Sequence, residues 1–166
     1  MLPLGTVLHP TDFSEQSVFA FRVACAVARD YNARLLLLHV MPPPMVVYAG
    51  GPLPAEMWPS IEEVKGKLRQ LEGHAHRVRV ESLVLEGDPV DMILRAGEET
   101  NSDVIVMGTH GRTALMRLLM GSVAESVLRK APCPVLTVKS LADRKRVIEA
   151  REKEAEAEVA MAAPSE

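Results

Sequence analysis

The sequence predicts an α/β domain, a parallel sheet covered by helices on both faces, and two observations predict it. Short β-branched or leucine-rich runs alternate with longer amphipathic segments along the 166 residues, the order of βαβ units. Two of those runs, LLLLHV at 35–40 and DVIVM at 103–107, are apolar almost without a break, as strands are when both faces are covered. These two are expected at the centre of the sheet. A chain of this length is one ordinary domain, since domains hold about 100–200 residues.

The elements follow in order. A first strand is expected at 5–9, then a helix at 14–31 that Ser14 can cap, then the apolar second strand at 34–40. The stretch MPPPMVVYAGGPLP, 41–54, is long and rich in Pro and Gly, which reads as a mobile flap or a functional lid. A helix at 54–72, a strand at 77–85 and a helix at 89–100 precede the apolar strand at 103–107. The last helix, 122–130, is stopped by Pro132 and Pro134, and a final strand occupies 135–138. Beyond Ser140 the chain is dominated by Ala, Glu, Lys and Arg. There Glu149 and Lys153 form a favourable i,i+4 pair, and little apolar surface is offered for burial. The division expected is therefore a domain at 1–140 and a charged helical or partly disordered tail at 141–166.

Charge and composition exclude several classes. With 19 basic against 22 acidic residues and no block of like charge, there is no electrostatic footprint for nucleic acid. No apolar stretch approaches membrane-spanning length and no leader pattern opens the sequence, so a cytoplasmic chain without a membrane partner is expected. Cys25 and Cys133 are not in metal-ligand spacing and read as small buried residues. His74 and His76 form an H-x-H pair without nearby Cys or Glu ligands, so no metal site is expected there. His9 and His39, at strand ends, read as packing residues.

The stretch GTHGRTALMRLLMGS, 108–122, carries the functional signal. Gly108 directly follows the strand at 103–107, so it lies at the carboxyl edge of a parallel sheet, where open α/β folds bind their ligands. Gly108 and Gly111 let backbone turn and approach a ligand with no Cβ in the way. Ser122 and Glu125 have the spacing of a capping box, which puts Gly121 immediately before a helix N-terminus. Unpaired N–H groups and the positive end of the helix dipole make that point an anion site. Three glycines, a serine and a helix start together suggest a phosphate cradle. It is neither a Walker loop, since no GK[ST] follows, nor the G-x-G-x-x-G dinucleotide fingerprint.

G-x-x-G, nine residues, then G-[ST] resembles the nucleotide motif of the ATP-binding universal stress proteins. The likeness extends through HPTDFSE at 9–15 and GDPVDMILRAGEETNSD at 87–103, so it covers about residues 4–139; Ala114 departs from it, where many relatives have glycine. The resemblance implies a single open five-stranded parallel sheet in order 3-2-1-4-5, flavodoxin-like or adenine-nucleotide-hydrolase-like, with ATP at the switch between the first and fourth strands. It implies that Pro10, Thr11 and Asp12 line the site, that Asp12 contacts the ribose or adenine side, and that Val40 offers its backbone to the adenine edge. On sequence alone Asp12 reads equally well as a cap or turn residue for the following helix. Met107, Gly108, His110, Gly111, Arg112, Gly121, Ser122 and Val123 complete the implied set around the phosphates. Within it His110 reads as a loop residue rather than a catalyst, and Arg112 as either a phosphate contact or a surface residue. Mg²⁺ is expected only through phosphate oxygens and water, because the motif has no carboxylate cluster.

Two functions fit. One is a nucleotide-dependent stress sensor or regulator; the other is a slow ATPase or nucleotidyl-transfer enzyme on the same fold. The absence of a phosphate lysine favours the first, with weak hydrolysis at most. The apolar last strand, at the sheet edge, is expected to pair with its own copy in a homodimer.

Overall fold

A computed structural model describes residues 4–41, 43, 47–48, 51–52, 59–109 and 120–139. The chain runs β1 (Thr6–Pro10), α1 (Glu15–Asp30), β2 (Arg34–Met41), β3 (Val47–Tyr48), β4 (Gly51–Pro52), α2 (Ile61–Glu72), β5 (Arg79–Glu86), α3 (Pro89–Glu99), β6 (Val104–Gly108), α4 (Ser122–Lys130) and β7 (Val135–Val138). Five strands form one parallel sheet in the order β5-β2-β1-β6-β7. This is the 3-2-1-4-5 order expected from the resemblance, with β1 central and the leucine-rich β2 beside it.

The chain steps outward in two directions from β1, and right-handed crossovers then put the helices of the two steps on opposite faces. The two cores show this. Alternate residues of β1 and β2, Val7, Leu35 and Leu37, pack with Ala20, Phe21, Ala24 and Ala28 of α1 and Val64 and Leu68 of α2. The residues between them, Leu8, Leu36 and Leu38, join Ile105 and Met107 of β6 under Ile93 and Ala96 of α3 and Ala124 and Val127 of α4. Burial on both faces explains why these strands read as unbroken apolar runs.

Several boundaries differ from the sequence expectation. Helix α2 begins at Ile61 rather than 54, because Ser60 and Glu63 form a capping box in which each bonds the other's backbone N–H. Strand β5 begins at Arg79 because Arg77 takes a left-handed φ of 61° in the turn that precedes it. Within the 41–54 stretch, Val47–Tyr48 and Gly51–Pro52 pair as a short antiparallel hairpin, which composition did not suggest. The tail from 140 onward lies outside the described residues.

Candidate functional site

Strands β1 and β6 are neighbours, yet the chain leaves them toward opposite faces, into α1 and α4. That divergence is the switch point at which open α/β sheets form a ligand crevice. Pairing reflects it. The β1–β2 register continues to Pro10↔Leu38, while β1–β6 pairing stops at Leu8↔Ile105. The carboxyl ends of β1 and β6 therefore part at Pro10.

One lip of the crevice is the turn from β1 into α1. Thr11 N–H still donates to Leu38 O at 2.8 Å, which ties the turn to β2. Asp12 Oδ1 accepts from Ser14 N–H at 3.0 Å and Ser14 Oγ–H at 2.6 Å, and Ser14 Oγ in turn accepts from Ser17 N–H at 3.2 Å. Asp12 thus holds the turn and orients the N-cap of α1, the structural reading of that residue. Ser17 Oγ–H and Phe13 N–H both donate to Thr11 Oγ1, at 2.8 and 3.2 Å. Such density of side-chain bonds stabilises Phe13 in a left-handed conformation, φ 65°, that a bulky residue rarely adopts. The strain costs on the order of 1–2 kcal/mol, and it turns the Phe13 ring onto His39, 4.5 Å between centroids, beneath Lys67 Nζ at 5.5 Å.

The other lip is the end of β6. Gly121 N–H donates to Thr109 O at 2.8 Å, and Thr109 N–H donates to Val138 O at 3.1 Å. Those two bonds bring the start of α4 back against the residue that follows Gly108, so Gly108 and Gly121, distant in sequence, belong to one lip. Here the capping-box expectation is corrected. Gly121 is the N-cap of α4, Ser122 is its first helical residue, and no side chain caps the helix among the described residues. The first turn closes through Glu125 N–H on Gly121 O, and the Glu125 carboxylate pairs instead with Arg129 one turn on, at 3.0 Å. The other three helices carry side-chain caps from Ser14, Ser60 and Asp88. Helix α4 alone among these presents its first-turn N–H groups without a built-in acceptor, beside the glycine edge of β6.

Of the sequence-predicted site residues, Pro10, Thr11 and Asp12 thus lie on the first lip, and Met107, Gly108, Gly121, Ser122 and Val123 on the second. Val40 is near the carboxyl end of β2, the strand beside β1. His110, Gly111 and Arg112 lie outside the described residues. The side chain of Met107 is buried under α3 and α4, so what β6 offers the crevice at that point is backbone.

Two buried histidines brace the lips, a role that sequence position alone did not suggest. His39 Nδ1 lies 2.7 Å from Thr11 O, and His9 Nδ1 lies 2.7 Å from Val106 O. His9 is fully buried against Phe21, and its Nε2 is a buried side-chain atom without a hydrogen-bond partner. Burial pushes its pKa down to about 4, against smaller raising effects of the Val106 carbonyl and the Asp12 charge. The ring is therefore neutral at neutral pH. Elsewhere, His74 Nδ1–H, in the turn after α2, bonds Gln70 O in the last turn of that helix. Burial raises the thiol pKa of Cys25 to about 11 and that of Cys133 above its ordinary value, so neither is primed as a nucleophile.

The sequence model of the Universal stress protein family matches residues 4–139. Universal stress protein MJ0531 of Methanocaldococcus jannaschii is 37% identical over 141 residues, spanning 80% of this chain and 81% of that protein. A universal stress protein from Archaeoglobus fulgidus, solved in complex with dAMP, aligns with TM-score 0.62 and 25% identity over 84% of this chain and 100% of its own. Another universal stress protein, in complex with cAMP, aligns with TM-score 0.62 and 26% identity over 82% of this chain and 98% of its own.

Proposed function

The chain belongs to the universal stress protein family, and on that premise we propose that it binds ATP in the β1/β6 crevice and acts as a nucleotide-dependent regulator in a stress response. The observation that carries the reading is the uncapped N-terminus of α4, drawn against the end of β6 by the bond from Gly121 N–H to Thr109 O. Free N–H groups and the helix dipole favour an anion there. The absence of side chains at Gly108 and Gly121 leaves room for phosphates to approach the backbone, and Gly111, Arg112 and His110 would extend the same lip. On the opposite lip Asp12 would face the ribose and the backbone of Val40 the adenine edge. The adenine nucleotides held by two relatives, dAMP and cAMP, support that ligand class.

The residues present fit a bound triphosphate. Mg²⁺ would be carried by the phosphates and water, in keeping with the lack of a carboxylate cluster in the motif. The motif from 108 to 122 also contains no lysine, so turnover is expected far below the roughly 1–100 per second of kinases. We further propose a cytoplasmic homodimer formed through β7, an edge strand whose Leu136 is 42% exposed. The segment at 141–166 would then be a separate tail. Leu136→Lys is expected to shift light scattering from dimer to monomer, and a monomeric parent at micromolar concentration would refute the dimer.

Native mass spectrometry of the purified chain tests the ligand class. An adenine nucleotide released on denaturation, and rebinding of ATP but not GTP by stripped protein, is the expected result. A stripped protein that takes up no adenine nucleotide would contradict the reading.

A further inference from the structure

The His9-Pro10 dipeptide makes the opening of the crevice intelligible. Thr11 N–H donates to Leu38 O, on β2. Backbone N–H groups alternate sides along a strand, so the nitrogen of Pro10 faces β6. The β1–β6 register, Leu8↔Ile105, sets Pro10 opposite Met107 and its nitrogen opposite the carbonyl of Val106. Proline has no N–H to give. That is where β1–β6 pairing ends, although β1–β2 pairing continues through the same residue.

A carbonyl left bare at that depth would be costly, because Val106 is fully buried. His9 supplies the missing donor. Its Nδ1 lies 2.7 Å from Val106 O, and since a carbonyl only accepts, the proton of the neutral ring must be on Nδ1. Nε2 is then the bare nitrogen, the atom that has no partner. The ring is locked in this tautomer with its second nitrogen buried and unpaired, an arrangement that a mere packing residue would not need.

We propose that His9 is a positioning residue for the nucleotide site: its Nδ1–H replaces the backbone donor that Pro10 lacks, so β1 and β6 separate while the end of β6 stays fixed. Proline opens the crevice and histidine keeps its far lip from fraying. The residues so held, Met107, Gly108 and Thr109, lead directly to the contact with Gly121. The role in ligand binding rests on the nucleotide reading above. The hydrogen-bond substitution itself does not.

The test therefore has arms with and without nucleotide. In the nucleotide-free protein, ¹⁵N NMR should find His9 protonated on Nδ1 alone at neutral pH; a proton on Nε2 would overturn the proposal. His9→Phe keeps the ring and removes the donor. It should speed amide exchange at Met107 to Thr109 about tenfold, the scale of one buried hydrogen bond. His9→Gln, which keeps an N–H donor, should recover part of that protection. In a Pro10→Ala background the restored backbone N–H can itself take the Val106 carbonyl. There His9→Phe should perturb exchange and melting less than in the parent, whereas equal effects in both backgrounds would refute the substitution.

With ATP, His9→Phe should weaken binding about tenfold, by the same single-bond scale, and unchanged affinity with accelerated exchange would refute the positioning role. A parent chain that fails to bind ATP would instead refute the nucleotide reading, leaving the tautomer and the double substitution to decide the role of His9. If His9→Phe does not fold, the tautomer in the parent and the behaviour of His9→Gln still decide it.

Discussion

The two edges of the same sheet are built on opposite terms. At the amino edge two charged side chains, Asp103 and Arg34, tie the fold together. Asp103 Oδ2 accepts from the N–H groups of Gly5 and Thr6, at 2.8 and 2.9 Å, which fastens β6 to the start of β1. Arg34 reaches Thr6 Oγ1, the Thr100 carbonyl and, at 3.5 Å, Glu81, so one guanidinium joins three strands and a helix end. At the carboxyl edge the fold spends stability instead. Phe13 is held left-handed, Pro10 interrupts the ladder, α4 starts without a side-chain cap, and His9 buries a nitrogen with no partner. Departures of this kind gather where a structure is arranged around something other than itself. The amino edge makes the fold, and the carboxyl edge makes the site.

Acid gives the largest expected contrast between the edges. His9 has a folded pKa of about 4, below its unfolded value of 6.5. The unfolded chain binds that proton more readily, so stability is full above about pH 6.5 and falls as pH drops toward 4. Each pH unit in that window is worth at most about 1.4 kcal/mol, so the loss reaches about 3 kcal/mol. Denaturant melts between pH 4 and 7 should show this slope, and His9→Phe should flatten it. An equally steep slope in the variant would assign the acid sensitivity to another group.

Next in size is the amino-edge counterpart. Asp103→Ala leaves the exposed Gly5 N–H and the part-buried Thr6 N–H without their carboxylate and should cost about 2 kcal/mol of stability, the scale of hydrogen bonds to a charged group. ATP affinity, measured on the folded variant, should stay within about twofold, since a change below roughly 0.4 kcal/mol is what an edge remote from the ligand allows. A large loss of affinity would mean that the edges are coupled. The smallest effect belongs to Ser122→Ala. Because Gly121 and not Ser122 caps α4, thermal stability should change by less than about 0.5 kcal/mol, the ordinary range for a surface substitution. A drop of about 1 kcal/mol, typical of a lost N-cap, would restore Ser122 to the capping role.

Much of the amino-to-carboxyl framework was legible because it is written in periodicity. The apolar runs of β2 and β6 announced strands covered on both faces, and α4 was bounded as expected by Gly121 and Pro132. The strand order came from resemblance, since local pattern carries no information about which strands are neighbours. The start of α2 was misjudged although its signal, Ser60 with Glu63 three residues on, was present; the proline-rich approach drew the boundary too early. At α4 the error ran the other way. A capping-box spacing was read at Ser122, but spacing cannot say which residue takes the extended cap conformation, and here the glycine does. The pairing of the two lips rests on Gly121 and Thr109, whose contact no local window contains. His9 read as packing because a single histidine at a strand end says nothing about a proline's missing N–H until the register is known.

Calorimetric titration with ATP of protein stripped of nucleotide, alongside a Gly121→Val variant, tests most directly that the carboxyl edge holds a phosphate cradle. A side chain at Gly121 fills the approach to the start of α4, while its backbone, at φ −61° and ψ 146°, accepts a β-branched residue without strain. The parent should bind and the variant, melting cooperatively near the parent temperature, should lose at least about tenfold in affinity, about 1.4 kcal/mol. Equal binding by the folded variant, or no binding by the parent, would contradict the account.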